Sequence, residues 1–223
     1  MKKPLILPDS PHLQDREADG RLHAPSAERN LAPIKEVLAD LLPQGGDVLE
    51  LASGTGQHIA DFAATWPDLV WHPSDIEEER LISIQAWREK VQLPNLGEVR
   101  EFDAVTGWGA LNETYDFIYV VNLLHLIPDA AAASVLAGMA QALNPGGRMM
   151  VYGPFRDAGA FRSEGDAKFH ASLISQDTSI GYKDAQWVRG QMVNAGLSDV
   201  SELLMPANNL ILHAQRGARS ISV

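Results

Sequence analysis

The stretch Val48-Leu49-Glu50-Leu51-Ala52-Ser53-Gly54-Thr55-Gly56-Gln57-His58 constrains the fold more than any other part of this chain. Asp47 to Leu51 reads as a short strand and Gln57 to Trp66 as a helix, and a Gly-x-Gly turn joins them. In open α/β sheets ligands lie at this point, outside the carboxyl ends of the strands. Gly54 and Gly56 let backbone approach a ligand that any Cβ would obstruct, while the first amides of the helix point at its polar groups. A dinucleotide-binding turn wants a third glycine three residues after the second, and that position is Ile59. Glu50 is costly on a core-forming strand unless a cationic group partners it.

The alternation of strand and helix continues along the chain. Strands expected at Val70 to Pro73, Glu98 to Phe102, Phe117 to Val121 and Arg148 to Tyr152 predict a mostly parallel sheet with helices on both faces, a doubly wound, Rossmann-like α/β fold. An amphipathic helix from Pro25 to Leu42 precedes them. Asp129 is expected to N-cap a helix over Ala130 to Leu143 that stops at Asn144-Pro145-Gly146-Gly147, and Asp184 to cap one ending at Gly196. The last strands, Val200 to Leu204 and Asn209 to Ala214, are joined only by Met205 to Asn208, too short for a parallel crossover, so an antiparallel hairpin is expected. Residues 25–216 are read as one domain, 1–24 as an N-terminal flap or disordered segment, and 217–223 as a tail. The segment 157–182 exceeds an ordinary connection and is expected to hold a helix near Ser163 to Ile174, as a lid or specificity insertion.

Composition excludes several function classes. A net charge of -11 repels phosphate backbones, so no nucleic-acid partner is expected. The absence of cysteine removes disulfides, thiolate metal sites and cysteine nucleophiles. The apolar run Leu5 to Leu7 stops at Pro8-Asp9, too short for a signal segment or a membrane span, which points to a cytoplasmic chain with no membrane partner. His23 and His58 have no acids or histidines at ligand spacing beside them, so no metal is expected. Glu77 to Glu79 reads as the solvated first turn of a helix.

Acids also end the next two strands. Asp75, about twenty residues after the glycine turn, can accept from both hydroxyls of a ribose. Asp103 can accept from the exocyclic amine of an adenine. With Glu50, three carboxylates at successive strand ends make a stronger signal than the glycines.

On these residues the sequence resembles the class I S-adenosylmethionine-dependent methyltransferases over roughly residues 45–215. The likeness runs through Glu-Leu-Ala-Ser-Gly-Thr-Gly, Pro-Ser-Asp75, Phe-Asp103-Ala, Tyr-Asp-Phe-Ile-Tyr-Val-Val-Asn122 and Leu-Asn-Pro-Gly-Gly-Arg-Met-Met-Val-Tyr. More narrowly, Ala-Pro-Ser-Ala-Glu-Arg-Asn, Ala-Ser-Gly-Thr-Gly-Gln-His, Tyr-Gly-Pro-Phe-Arg and Met-Pro-Ala-Asn-Asn-Leu resemble the methyltransferase-like 26 family, long labelled a domain of unknown function. The resemblance implies a seven-stranded sheet in order 3-2-1-4-5-7-6 with strand seven antiparallel. It also implies S-adenosylmethionine as cofactor, with S-adenosylhomocysteine as product. Glu50 and the turn residues Ala52, Ser53, Gly54 and Gly56 would then lie near the methionyl end, Asp75 at the ribose, Asp103 and Ala104 at the adenine, and Asn122 and Leu123 near the transferred methyl, with His58 a further cofactor-binding residue. Arg29 and Asn30 would reach the cofactor's carboxylate. Many relatives carry Gly-x-Gly-x-Gly, whereas Ser53 to Gln57 keeps two glycines and places Gln57 last.

Methyl transfer from a sulfonium is a direct displacement, so alignment and, for a protonated acceptor, a general base suffice. His125 and Tyr152 are the candidates for catalysis, and Arg156 could clamp a carboxylate or phosphate in the substrate pocket. The expected activity is methylation of an oxygen, nitrogen or sulfur of a small molecule, anionic ones included; a protein acceptor and the oligomeric state stay open. Asn122-Leu123-Leu124-His125 replaces the Asn-Pro-Pro-Tyr signature of base and glutamine N-methylation, which argues against those acceptors. Two alternatives differ in class: a cofactor-binding interaction module without turnover, and a nicotinamide-dependent oxidoreductase, against which the missing third glycine and the hairpin both argue.

Overall fold

The computed structural model describes residues 16–218, so residues 1–15 of the expected flap or disordered segment (1–24) and residues 219–223 of the expected tail (217–223) lie outside the described residues. Eight strands and six helices alternate along it. The strands are β1 (Gly46–Leu51), β2 (Leu69–Asp75), β3 (Arg100–Glu101), β4 (Tyr115–Val121), β5 (Leu143–Arg156), β6 (Lys183–Asp184), β7 (Leu197–Leu204) and β8 (Asn209–Arg216). The helices are α1 (Pro25–Leu41), α2 (Gln57–Thr65), α3 (Glu78–Val91), α4 (Asp129–Ala142), α5 (Glu164–Gln176) and α6 (Ala185–Asn194).

The sheet order is β3-β2-β1-β4-β5-β8-β7, with the two-residue β6 paired only to β5. Numbered without β6, this is the expected 3-2-1-4-5-7-6. The last strand runs antiparallel to both neighbours and the other pairings are parallel. Alternation along the strands sorts the core into two layers. Leu49, Leu51, Ile118, Val120, Met149 and Val151 meet α4 and α6 on one face; Val48, Phe117, Tyr119, Met150, Tyr152 and Ile211 meet α1 and α2 on the other. Among the described residues no helix is long and apolar enough to cross a membrane.

Three local expectations need correction. Pro128, not Asp129, is the N-cap of α4: its extended backbone places its carbonyl to accept from Ala132 N, and Asp129 becomes the first helical residue. The strand expected over Glu98 to Phe102 shrinks to Arg100–Glu101, because at the sheet edge it pairs on one side only. The helix before Asn144-Pro145-Gly146-Gly147 passes straight into β5 at Leu143, with a register shift opposite Tyr115 and Phe117. Gly147 fits there because a Cβ would come within 2.9 Å of the Asn144 carbonyl oxygen and 3.1 Å of that of Asp116. Elsewhere Asp184 caps α6 by accepting from Gln186 N, and Ser163 caps α5 by accepting from Asp166 N.

Residues 16–24 lie along α3. Leu22 is buried; its N–H donates to Ser83 Oγ (2.8 Å) and its carbonyl accepts from Trp87 Nε1 (3.2 Å). Asn95 closes the far end of the α2–β2 connection. Its Nδ2 donates to the carbonyls of Ala63, Trp66 and Leu69 at 2.9, 3.3 and 3.0 Å, while its own carbonyl accepts from Trp71 N. Asn95→Ala strands these carbonyls and should cost about 1–3 kcal/mol of unfolding free energy, read from urea denaturation.

Candidate functional site

The turn after β1 is welded to the end of β2. Ser53 N donates to the Ser74 carbonyl (2.8 Å), Ser74 N donates to Ser53 Oγ (3.1 Å), and Ser74 Oγ donates to the Glu50 carbonyl (2.7 Å). Gly54 N donates to Asp75 Oδ2 (2.9 Å). Within this frame the backbone is left-handed at alternate residues: Ala52 (φ 50°), Gly54 (φ 59°) and Gly56 (φ 85°). The third position of the turn is therefore Ala52, before the two glycines, and Gln57 already opens α2. An alanine there carries a steric cost of about 1–2 kcal/mol that glycine would not.

The two glycines serve different ends. A Cβ on Gly56 would lie 2.9 Å from Ile84 Cα, so this glycine is explained by packing against α3 rather than by a ligand. A Cβ on Gly54 would meet nothing nearer than the Ala52 carbonyl oxygen at 3.9 Å. That side of the turn is open.

Glu50 is 2% exposed, and its Oε2 is buried with no hydrogen-bond partner. Burial pushes its pKa up to about 8; Ser53 and Tyr119 ease its ionisation and the Asp75 carboxylate opposes it. Tyr119, the register partner of Glu50 on β4, also has a buried hydroxyl without a partner. Sequence reading passed over Tyr119 as one residue of an apolar run; only its register against Glu50 singles it out.

Asp75 Oδ1 accepts from the N–H groups of Ile76 (2.8 Å) and Glu77 (3.1 Å), so with Gly54 three of its roughly four acceptor positions are filled. Asp103 folds its own loop, accepting from Val105 N (2.8 Å) and Thr106 Oγ1 (2.5 Å), and the threonine hydroxyl holds its carboxyl below the usual range. The carbonyl of buried Ala104 accepts from Trp108 Nε1. Asn122 follows β4 with a left-handed backbone (φ 58°) and donates its N–H to the Tyr152 carbonyl (2.9 Å). Leu123, partly buried, precedes the short 3-10 turn Leu124–Leu126. His58 serves packing: its Nε2 bonds the Ala27 carbonyl oxygen (2.9 Å) and its ring stacks on Phe62, a tie between α2 and α1.

Beyond β4 and β5 lies a second group. His125 is buried against Phe169 and Tyr182 (ring centroids 5.8 and 6.1 Å), and burial, with the charge of Lys183, pushes its pKa down to about 3. Lys183, 3% exposed, donates to the Ile127 carbonyl and pairs with Asp129 Oδ1, both at 2.8 Å. Tyr152 is buried and its pKa is raised to about 12 by that burial, against the pull of Asn209 and the positive charge of Arg29. Arg29 from α1, Tyr152 from β5 and Asn209 from β8 thus meet at one place; Asn30 is the half-buried neighbour of Arg29. Arg156, at the end of β5, has a buried Nε with no partner, and its charge disfavours protonation of His170.

Residues 21–216 match a family described as a protein of unknown function, DUF938. The chain belongs to that family. This DUF938 chain is also similar in structure to known methyltransferases. An O-methyltransferase family protein from Burkholderia thailandensis matches 86% of it at 19% identity and a TM-score of 0.75, over 58% of its own length. Human N-acetylserotonin methyltransferase, solved with SAM, matches 86% at 16% identity and a TM-score of 0.70, over 53% of its length. An O-methyltransferase family 2 protein from Planctomyces limnophilus, solved with apigenin, matches 89% at 18% identity and a TM-score of 0.69, over 62% of its length. The chain therefore spans a little over half the length of these structures and has the class I methyltransferase fold.

Glu50 sets the prediction for this site. Its folded-state pKa is raised from 4.5 to about 8, so the folded protein binds more protons than the unfolded one between those values, and stability falls as pH rises through that window. Glu50→Gln removes the loss and should stabilise the ligand-free protein by roughly 3 kcal/mol at pH 7 and by little at pH 4, measured by urea denaturation at both.

Proposed function

We propose that this chain is a methyltransferase that uses S-adenosylmethionine to methylate a small molecule, within the narrower methyltransferase-like 26 group. The observation that carries the reading is the buried, unpartnered carboxylate of Glu50 beside a turn whose open side is Gly54. Such a group suits a ligand that brings a cationic amine. Asp75 keeps an acceptor position for a ribose hydroxyl, and Asp103 and Ala104 lie at the next strand end for the adenine. Ala52 and Ser53 shape the turn, Arg29 and Asn30 stand on the covering helix, and Asn122 and Leu123 line the end of β4. Bound there, the cofactor supplies an activated methyl group on a sulfonium.

The chain's own contribution is alignment and exclusion of water. Tyr152, with its pKa raised to about 12, keeps its proton at neutral pH and acts as a donor that orients the acceptor. His125 is neutral at pH 7, and with a pKa near 3 it is a weak base. This reading favours an acceptor atom that arrives with a free lone pair or as an anion, and Arg156 suits an anionic one. The similarity to a protein solved with apigenin supports a small acceptor. In this reading 25–216 is the catalytic domain, 157–182 covers the acceptor, and the protein is cytoplasmic with no nucleic-acid or membrane partner.

The weak basicity of His125 also favours a second reading, a cofactor-binding interaction module without turnover. Transfer of labelled methyl from S-adenosylmethionine into a metabolite extract separates the two: a labelled product is expected, and a bound cofactor with no labelled product would favour the second. Calorimetric titration tests the pocket itself. Asp75→Ala and Gly54→Val, folded by circular dichroism, should each weaken S-adenosylhomocysteine binding about tenfold or more; parental affinity in both would sink the assignment.

A further inference from the structure

Two buried side-chain oxygens have no hydrogen-bond partner among the described residues, Oε2 of Glu50 and the hydroxyl of Tyr119. They belong to register partners on adjacent strands, and alternation puts both side chains on the face covered by α1 and α2. The ring of Tyr119 is fixed there, edge-on to Trp71 (6.2 Å) and tilted against Phe62 (6.0 Å). An ordinary core tyrosine would complete a bond to its neighbour, and an ordinary core would place a phenylalanine here. Two buried oxygens on register partners, each without a completed bond, would both be satisfied by a third group that donates to them.

We propose that Tyr119 and Glu50 together receive the ammonium group of the cofactor's amino-acid end, Tyr119 positioning the carboxylate, and that one proton leaves Glu50 for solvent as the ammonium enters. The inference rests on the cofactor reading above. With the pocket empty, Glu50 is largely a neutral carboxylic acid at pH 7, since burial raises its pKa to about 8. A cation beside it favours the carboxylate, so its O–H bond breaks: neutral acid plus dissolved cation becomes an ion pair plus a hydrated proton. Tyr119 keeps its own proton throughout, because burial and the Glu50 charge raise its pKa well above the usual value. Asp75 on β2 is the charged group that acts on the pair, opposing Glu50's ionisation; of the helices that cover this face, α2 carries His58, bonded to the Ala27 carbonyl, and α1 carries Arg29, whose charge acts on Tyr152 of β5. Burial lowers the pKa of His58, which favours its neutral form, and it bonds the Ala27 carbonyl rather than the pair.

Calorimetry with S-adenosylhomocysteine, whose own amine is protonated over pH 6–7, tests this in two buffers of different ionisation enthalpy. The wild type should release about 0.9 proton per ligand at pH 7, and its affinity should rise about ninefold from pH 6 to pH 7. Glu50→Gln should release none. In Tyr119→Phe the acid loses the hydroxyl that eases its ionisation. The pH curve should then move to higher pH, weakening binding about three- to tenfold at pH 7, which a merely structural role would not do. Wild-type binding without proton release, or a Tyr119→Phe curve superposed on the parent's, overturns this inference and leaves the cofactor reading standing. If Tyr119→Phe does not fold, the wild-type proton count decides alone. No binding of S-adenosylhomocysteine at any pH removes both.

Discussion

The candidate site depends on the bonds that fasten the turn after β1 to the end of β2. Ser53 and Ser74 exchange two of them, Ser74 Oγ reaches back to the Glu50 carbonyl, and Asp75 takes the Gly54 amide. Because Gly56 then packs against Ile84 of α3, the turn, both strand ends and two helices behave as one body. The left-handed backbone at Ala52 persists only because this frame over-determines it. Two side chains carry a double duty as a result: Asp75 builds the turn it would serve, and Glu50 sits where the frame gives it no partner. A binding residue placed on rigid elements in this way is held in position before any ligand arrives.

Much of this was legible from residue order alone, and what escaped did so for identifiable reasons. The alternation of strands and helices, the closing hairpin and the acids at three strand ends follow from apolar periodicity, connection length and residue type, which are local, whereas the order of the strands was implied only by the family resemblance. Tyr119 escaped because a tyrosine inside Tyr115–Val121 looks like core until its cross-strand neighbour is known. Ala52 is expected at the turn, but not its left-handed backbone, because that conformation is foreseen from glycines and here one such position is filled by a residue with a Cβ. Asp129 has the residue type of a cap, but the extended backbone of Pro128 takes that position, and residue type alone does not show it. The shortness of β3 and the existence of β6 are set by neighbours in space, which sequence periodicity does not encode.

Segments far apart in sequence are gathered at the other end of the site. Arg29, Tyr152 and Asn209 come from the first helix, the fifth strand and the last strand, and each lies in one of the short motifs that mark the narrower family resemblance. The 157–182 segment is fastened beside them at several points. Asp166 on α5 accepts from Asn208 Nδ2 (3.1 Å) and from the Tyr182 hydroxyl (3.3 Å), and Lys183 anchors the return strand to the Ile127 carbonyl. The aromatic rings around His125 are therefore supplied by a segment tied at both its helix and its exit.

The two rims of the sheet have a consequence of their own. On one side β3 offers two residues of backbone; on the other, β7 slips register between Ser198 and Ser201, with Asp199 in a left-handed kink. An uninterrupted outer strand is a template onto which another molecule can zip through main-chain amides, and shortness, irregularity and acidic side chains are the devices that spoil it. Lateral growth of this sheet is thereby discouraged at both borders.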